Sequence, residues 1–366
     1  MSRLFTPRFA SLTPYTPGEQ PKDMQYIKLN TNESPFPPSA GVIEAAQTEA
    51  GRLQLYSDPE CKELRTAAAA VLGVKPEQLV MTNGSDDVLN FAFMAFADKE
   101  HPLVFPDITY GFYRVFADFN GIPYRQVPLK EDFTVDYRDY LEGGETVVIA
   151  NPNAPTGMAL GLAEIEKIVA ADKNRVVIVD EAYVDFGGES AVKLIDQYDN
   201  LLVTQTFSKS RSLAGARLGF GIGNEGLIAD LNTLRYSTNP YNVNRMTGAA
   251  GIAALKDNAY YMENCRQIAA IREATAKALQ DLGFAVLPSQ TNFLFATTPV
   301  ISGAELYREL KQRGILIRHF DAPRIKNYIR VTIGTADQMQ CFLGIAEDIL
   351  TEKKKDFNNL KEAEKS

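Results

Sequence analysis

The chain has 366 residues, 45% of them hydrophobic and 23% charged, with a net charge of −8 and a pI near 5.1. That length exceeds one ordinary core, so a large domain with a smaller companion is expected, in a chain of soluble, folded composition. The acidic balance argues against a general nucleic-acid or membrane-surface partner. Three scattered cysteines and two histidines give neither a disulfide framework nor a Cys/His metal site. A reducing cytoplasm is the expected location. The first residues lack the apolar core of a signal peptide and no run is long enough to span a bilayer, so Met1 onward reads as mature protein.

Residues 1–45 carry many prolines and read as an extended N-terminal arm. Leu12-Thr-Pro-Tyr15 and Leu29-Asn-Thr-Asn-Glu33 put polar and aromatic groups in that arm, which suits a surface strap and a substrate cover alike. Tyr56 stands in a turn-rich stretch before Asp58-Pro59, where it either packs or binds. A helix is expected over 62–73 and a strand over 79–82. Asn83-Gly-Ser-Asp-Asp87 and an apolar helix over 88–96 follow. Strand, glycine, Ser/Asp and helix in that order expose free N–H groups at a helix start. This geometry can hold an anion or can simply be an ordinary cap. Leu103-Val-Phe reads as a buried strand, and Tyr110 sits at the next loop-to-helix junction, placed either to lie over a planar ligand or to join the core.

The strand 146–150 ends in Asn151-Pro-Asn-Ala-Pro-Thr-Gly157, and helix 162–172 follows. Next come the strand Arg175-Val-Val-Ile-Val-Asp180-Glu-Ala-Tyr183, a helix near 189–197 and the strand Leu201–Thr204. Near-continuous Val/Ile strands alternating with helices predict an α/β fold with a mostly parallel sheet covered on both faces. Ligands collect at the carboxyl ends of such strands. There the chain presents Asn153, then Asp180 and Tyr183, then Lys209 within Thr206-Phe-Ser-Lys-Ser-Arg-Ser-Leu-Ala-Gly-Ala-Arg217. Lys209 is either a solvated loop lysine or an amine that forms a Schiff base with a carbonyl. The second role needs a pKa depressed by burial or by neighbouring cations, for which Arg211 and Arg217 are the candidates. A strand to Gly223, a helical stretch over 243–281 with a break near 256–258, and a second alternating region complete the chain. That region has strands at 284–287, 292–296, 315–319 and 328–333, helix 302–313 and a final helix. The expected divisions are an arm (1–45), a large domain (46–245), linking helices (246–281), a small domain (282–350) and a charged, fraying tail (351–366).

Lys209, the Gly84-Ser85-Asp86 helix start with Ser208 and Arg217, Tyr110, and Asp180 supply what pyridoxal phosphate needs. These are an amine, an anion pocket, a ring support and a carboxylate for the pyridine nitrogen. A carboxylate after β-branched residues is otherwise a costly buried charge. With Asp180-Glu-Ala-Tyr183, Ser208-Lys209, Leu213-Ala-Gly-Ala-Arg217, Thr291-Asn-Phe293 and Arg330-Val-Thr-Ile-Gly334, the chain resembles the fold-type I pyridoxal-phosphate aminotransferases over nearly its whole length. The Leu12-Thr-Pro-Tyr15 arm narrows the likeness to the histidinol-phosphate aminotransferase family.

The resemblance implies a large domain with a seven-stranded type of sheet and a smaller α/β domain joined by the arm. It implies pyridoxal 5'-phosphate as cofactor, Lys209 as the covalent anchor, and Asp180 at the ring nitrogen. Tyr183 and an asparagine would meet the ring hydroxyl, and Tyr110 would stack on the ring. Ser85, Asp86, Ser208 and Arg217 would hold the phosphate, with Tyr56 reaching it from the partner of a homodimer. Arg330, Arg318 and Tyr15 would bind substrate. The family's usual Asn-Asn-Pro-Thr-Gly reads Asn153-Ala154-Pro-Thr-Gly here, so either Asn153 replaces the lost asparagine or the contact is absent. The implied reaction is ping-pong transamination in histidine biosynthesis, between an amino phosphate and 2-oxoglutarate with glutamate as the counterpart donor. Aromatic amino-acid transamination and threonine-phosphate decarboxylation are the neighbouring activities. Regulators that sense the same cofactor need a DNA-binding helical domain, for which the proline-rich arm has no room.

Overall fold

The computed structural model describes the backbone of residues 2–363 and the side chains as far as Lys355. In chain order the large domain contains α1 (Ala40–Ala50), α2 (Lys62–Leu72), β2 (Leu79–Thr82), α3 (Ser85–Phe96), β3 (Leu103–Pro106), α4 (Phe112–Asn120), β4 (Tyr124–Val127) and β5 (Thr146–Ala150). It continues with α5 (Leu162–Ala171), β6 (Val177–Asp180), β7 (Leu201–Thr206), β8 (Gly219–Gly223), α6 (Glu225–Thr238) and α7 (Arg245–Lys256). Strand β1 (Ile27–Lys28) precedes them in the arm.

Seven strands form one sheet in the order β2-β8-β7-β6-β5-β3-β4, parallel except at β8, which runs antiparallel to β2 and β7. The strands are buried on both faces because alternate residues meet different helices. Val147, Ile149, Val177, Val179 and Val203 pack with Leu64, Ala68, Ala250 and Ala254 of α2 and α7. Val148, Ile178 and Leu202 pack with Val88, Leu89, Ile228 and Leu231 of α3 and α6. Each such Val, Leu or Ile side chain contributes roughly 2 kcal/mol of burial. Ala150, Asp180 and Thr204 are cross-strand neighbours, so the ends of β5, β6 and β7 open on one place.

Helix α8 (Asn258–Asp281) leads to β9 (Ala285–Val286), β10 (Phe293–Thr297), α9 (Gly303–Gln312), β11 (Ile315–Leu316), β12 (Arg318–His319), β13 (Tyr328–Thr332) and α10 (Ala336–Ala363). The small domain is an antiparallel sheet, β12-β13-β10-β9, whose Leu294, Ala296, Ile329 and Val331 pack on Leu279, Leu306 and Phe342. The arm joins it through parallel pairing of β1 with β11.

The expected architecture is present, with local differences. The arm is shorter than read: Ser39 caps α1 by accepting from the Val42 N–H, within the stretch assigned to the arm. Three nearby prolines and one buried residue, Val42, concealed that helix. Helix α6 was missed, since its sequence is polar and only Ile228, Leu231 and Arg235 are buried. The helix expected near 189–197 is a short 3-10 turn, Ala191–Leu194. The single strand expected over 315–319 divides between two sheets. Helix α10 continues to Ala363 where a frayed tail was expected, and residues 364–366 lie outside the described residues.

Gly219 fixes the junction between sheet and site. It sits opposite Thr82 on one side and Thr206 on the other, and a Cβ there would lie 2.2 Å from the Ser85 nitrogen and 2.5 Å from the Gly84 carbonyl carbon. Both obstacles are backbone, so neither can swing aside. Gly219→Ala is therefore expected to lose about 2 kcal/mol of stability, measured by urea unfolding. An unchanged midpoint would mean that the helix start can move.

Candidate active site

The β2–α3 turn provides the first wall. Gly84 adopts φ 89°, a conformation that favours glycine, and an added Cβ would lie 2.7 Å from an Arg217 nitrogen. The N–H groups of Ser85 and Asp86 head α3 without a carbonyl one turn back. Arg217 stands over them in a left-handed conformation. It pairs with Asp86 at 3.1 Å and reaches the Ser208 hydroxyl at 3.5 Å. Ser208 also receives the Thr206 hydroxyl at 3.0 Å. Backbone donors, hydroxyls and one guanidinium thus form an anion cradle. The carboxylate of Asp86 would repel an anion; its N–H is the part that suits one. Its side chain accepts from Arg217 and from the Tyr110 hydroxyl, the latter at 2.9 Å.

The floor lies at the ends of β6 and β7. Asp180 is buried, and its Oδ2 accepts the Tyr113 hydroxyl at 2.8 Å, while Oδ1 has no partner among the described residues. Burial raises its pKa to about 6, against the opposing pull of the Tyr113 hydrogen bond. Lys209 donates to the Thr31 carbonyl at 3.2 Å, and its Nζ lies 6.0 Å from the Tyr183 ring centre. Burial lowers the Lys209 pKa to about 8, helped next by the charge of Arg330. Arg211, one of the two cations expected to do this, instead turns to Asn258 at 2.9 Å and over the Phe207 ring. Tyr183 accepts the Asn32 amide at 2.9 Å.

Arg330 closes the side toward the small domain. It lies between Phe293 and Phe320, 5.2 and 5.5 Å from their ring centres. One amino group donates to the Asn30 carbonyl at 3.1 Å, and its Nε is buried without a partner among the described residues. Burial pulls its pKa down from the ordinary arginine value.

Four expected residues stand differently from the rest. Asn153 spends its amide on the protein: Nδ2 donates to the Ile108 carbonyl and to Thr156 Oγ1, and Oδ1 accepts from Thr109. A ring hydroxyl would have to displace one of these bonds. Arg318 holds the arm, donating to the carbonyls of Thr16 and Pro17. Tyr15 stacks on Phe112, with ring centres 4.2 Å apart. Tyr56 is 80% exposed and stacks on Tyr241, so it does not join the site of its own chain. Reading the sequence missed Tyr113, Asn32 and the carbonyls of Asn30 and Thr31. The motifs that contain them were visible; the atoms that act were not.

Residues 24–344 match the family model described as aminotransferase class I and II. The chain belongs to the class I and II aminotransferase family. This aminotransferase is 50% identical over 345 residues to histidinol-phosphate aminotransferase of Marinomonas sp., covering 93% of this chain and 97% of the relative. It is 47% identical over 340 residues to the Acinetobacter baumannii enzyme of the same name, covering 92% and 94%. Among solved structures, it resembles histidinol-phosphate aminotransferase from Sinorhizobium meliloti in complex with pyridoxal-5'-phosphate. The TM-score is 0.85 at 26% identity, over 96% of this chain and 99% of that one.

Enzymes of this family use pyridoxal phosphate, and the residues here fit that group. The unpartnered Asp180 Oδ1 suits a protonated ring nitrogen, the glycine-lined cradle suits a phosphate, and Lys209 is the buried amine between them. Among the described residues, no helix is long and apolar enough to cross a membrane.

The burial of Lys209 has a consequence for the apoprotein. Folding lowers its pKa from the ordinary 10.5 to about 8, so between those values the unfolded chain binds the extra proton and stability rises with pH. Apo Lys209→Met is expected to exceed the parent apoprotein by about 1–3 kcal/mol at pH 7. The gap should close as pH approaches 10.5. Urea unfolding across pH measures it, and a pH-independent gap would reject burial as the cause.

Proposed function

We propose that the chain is a histidinol-phosphate aminotransferase that exchanges the amino group with 2-oxoglutarate, with glutamate as the counterpart. The observation that carries the reaction class is the pairing of a buried amine, Lys209, with a half-partnered carboxylate, Asp180, beside an anion cradle. The identity to relatives of that name supports the substrate. Arg330 supports it too, since its unused Nε and the spare donors of Arg318 suit an anionic end group.

The bound cofactor supplies an electron sink for the pair released at the substrate's Cα. The freed amine of Lys209, whose pKa burial holds down, would be the base that takes the proton from that carbon and the acid that gives it back to the cofactor. Asp180, whose Oδ1 is unengaged among the described residues, would keep a positive charge on the ring nitrogen. Tyr110 would support the ring and Tyr183 would meet its hydroxyl, with Asn153 as the further candidate there. Ser85, Asp86 through its N–H, Ser208 and Arg217 would hold the phosphate. Tyr15, Arg318 and Arg330 define the far end of the substrate.

The reading includes a homodimer with shared sites, in which each Tyr56 serves its partner's phosphate cradle. The exposed Tyr56–Tyr241 pair, flanked by exposed Leu53 and Leu55, supports this. The three free cysteines accord with the cytoplasm.

Lys209→Ala is expected to lower turnover by more than about 10³-fold and to abolish the visible absorbance of covalently held cofactor. Retention of both would reject the assignment. A half-reaction panel tests the substrate by following that absorbance with histidinol phosphate, phenylalanine, threonine phosphate or glutamate. Reaction with histidinol phosphate and glutamate is expected. Reaction with phenylalanine in place of histidinol phosphate would reject the proposed substrate, as would CO2 release from threonine phosphate.

A further inference from the structure

Tyr113 is a tyrosine with no access to solvent, placed one turn beyond Tyr110 at the start of α4. Its ring meets Phe105 edge-on at 5.7 Å and meets the Tyr110 ring at 5.7 Å and 86°. Packing alone would be served by phenylalanine, but a buried phenol needs a partner. The partner here is Oδ2 of Asp180, at 2.8 Å. The nearby Ala182 N–H also favours the ionised carboxylate, and Oδ1 has no hydrogen-bond partner among the described residues.

We infer that Tyr113 is a positioning residue that assigns Asp180 its polarity: it engages Oδ2, leaves Oδ1 for the ring nitrogen, and weakens the carboxylate as a base so that the shared proton stays on nitrogen. The inference rests on the proposed pyridoxal-phosphate reading. Its physics is that of a donor to an ion: a hydrogen bond to a carboxylate stabilises the ionised form, and removing it makes the carboxyl hold a proton more readily. Tyr113 remains a donor at any working pH, because burial and the neighbouring Asp180 hold its own pKa well above the ordinary tyrosine value. The charged group whose field reaches Asp180 is Asp86, which is itself paired with Arg217, and Lys209 stands in the same pocket. The ring packing gives a second effect. The edge of Tyr113 sets the tilt of Tyr110, whose hydroxyl ends on Asp86 in the anion cradle. One turn of α4 thus ties the nitrogen end of the site to its phosphate end.

The test uses holoenzyme reconstituted with cofactor labelled with 15N at the ring. Tyr113→Phe keeps the ring contacts and removes the donor. The cofactor dissociation constant should rise by about tenfold to a hundredfold, and the 15N resonance should move from the protonated toward the unprotonated range. Replacing Tyr113 with 3,5-difluorotyrosine makes a stronger donor and should hold the resonance at its protonated limit. In an Asp180→Asn background, Tyr113→Phe should change cofactor affinity no further, because the effect runs through the carboxylate. A Tyr113→Phe resonance and affinity equal to the parent would overturn the inference while leaving the aminotransferase reading intact. So would effects of the two substitutions that simply multiply. Parent protein that takes up no cofactor would overturn both.

Discussion

A carboxylate buried beneath a pocket with one oxygen unpaired is the constraint that organises this molecule. Removing an ionised carboxyl from water costs several kcal/mol, and Asp180 recovers part of that through Tyr113 and the Ala182 N–H. The remainder awaits a cation. Lys209 is not that cation, since its nitrogen is drawn to the Thr31 carbonyl and its own charge is disfavoured by burial. A protein that keeps two such groups in one pocket gives up stability for chemistry, a pattern typical of functional sites. The parallel sheet makes the arrangement tolerable: its strands are held by packing on both faces, so their ends can carry groups that stabilise nothing locally.

The division of labour follows from which domain owns each group. The sheet end and the α3 turn belong to the large domain and carry the residues proposed for the ring and the phosphate. Arg330 comes from β13 of the small domain, and it is fixed by an arm carbonyl and by rings from both ends of its own sheet region. On the proposed reading, substrate recognition is built across a junction, with the arm as the third party. Glu19 pairs with Lys311 and Asn30 reaches back to the Glu19 carbonyl, so the arm is fastened at several points before it meets the site.

Much of this was legible in the sequence because the large sheet is simple. Near-continuous Val/Ile strands alternating with helices mark a mostly parallel sheet covered on both faces, with ligands at the strands' carboxyl ends. Asp180 was legible because a carboxylate after β-branched residues is a costly buried charge unless it is paired, whereas Lys209 and Arg217 took their roles from the assembled set and the family resemblance. Elements with little buried surface were not legible. Helix α1 offers one buried residue, and α6 is polar along most of its length. Side-chain roles failed where a residue had two plausible partners. Nothing in the order of residues says that Asn153 spends its amide on Ile108 and Thr156, or that Arg211 turns to Asn258. Tyr113 was not singled out, and what distinguishes it from core is the hydroxyl bond to Asp180, which the residue order does not show.

Three of the candidate site's side chains are held by main-chain oxygen. Thr31 holds Lys209, Asn30 holds Arg330, and Thr16 with Pro17 holds Arg318. A carbonyl belongs to every residue type, so these contacts are invisible to evolutionary substitution and to alanine scanning alike. Drift at positions 16 and 31 can rewrite the side chains while the functional atoms stay in place. At these positions the path of the arm carries the contact, beside the side chains of Glu19, Asn30 and Asn32 that fasten it, and backbone-directed chemistry such as ester replacement is what addresses the carbonyls.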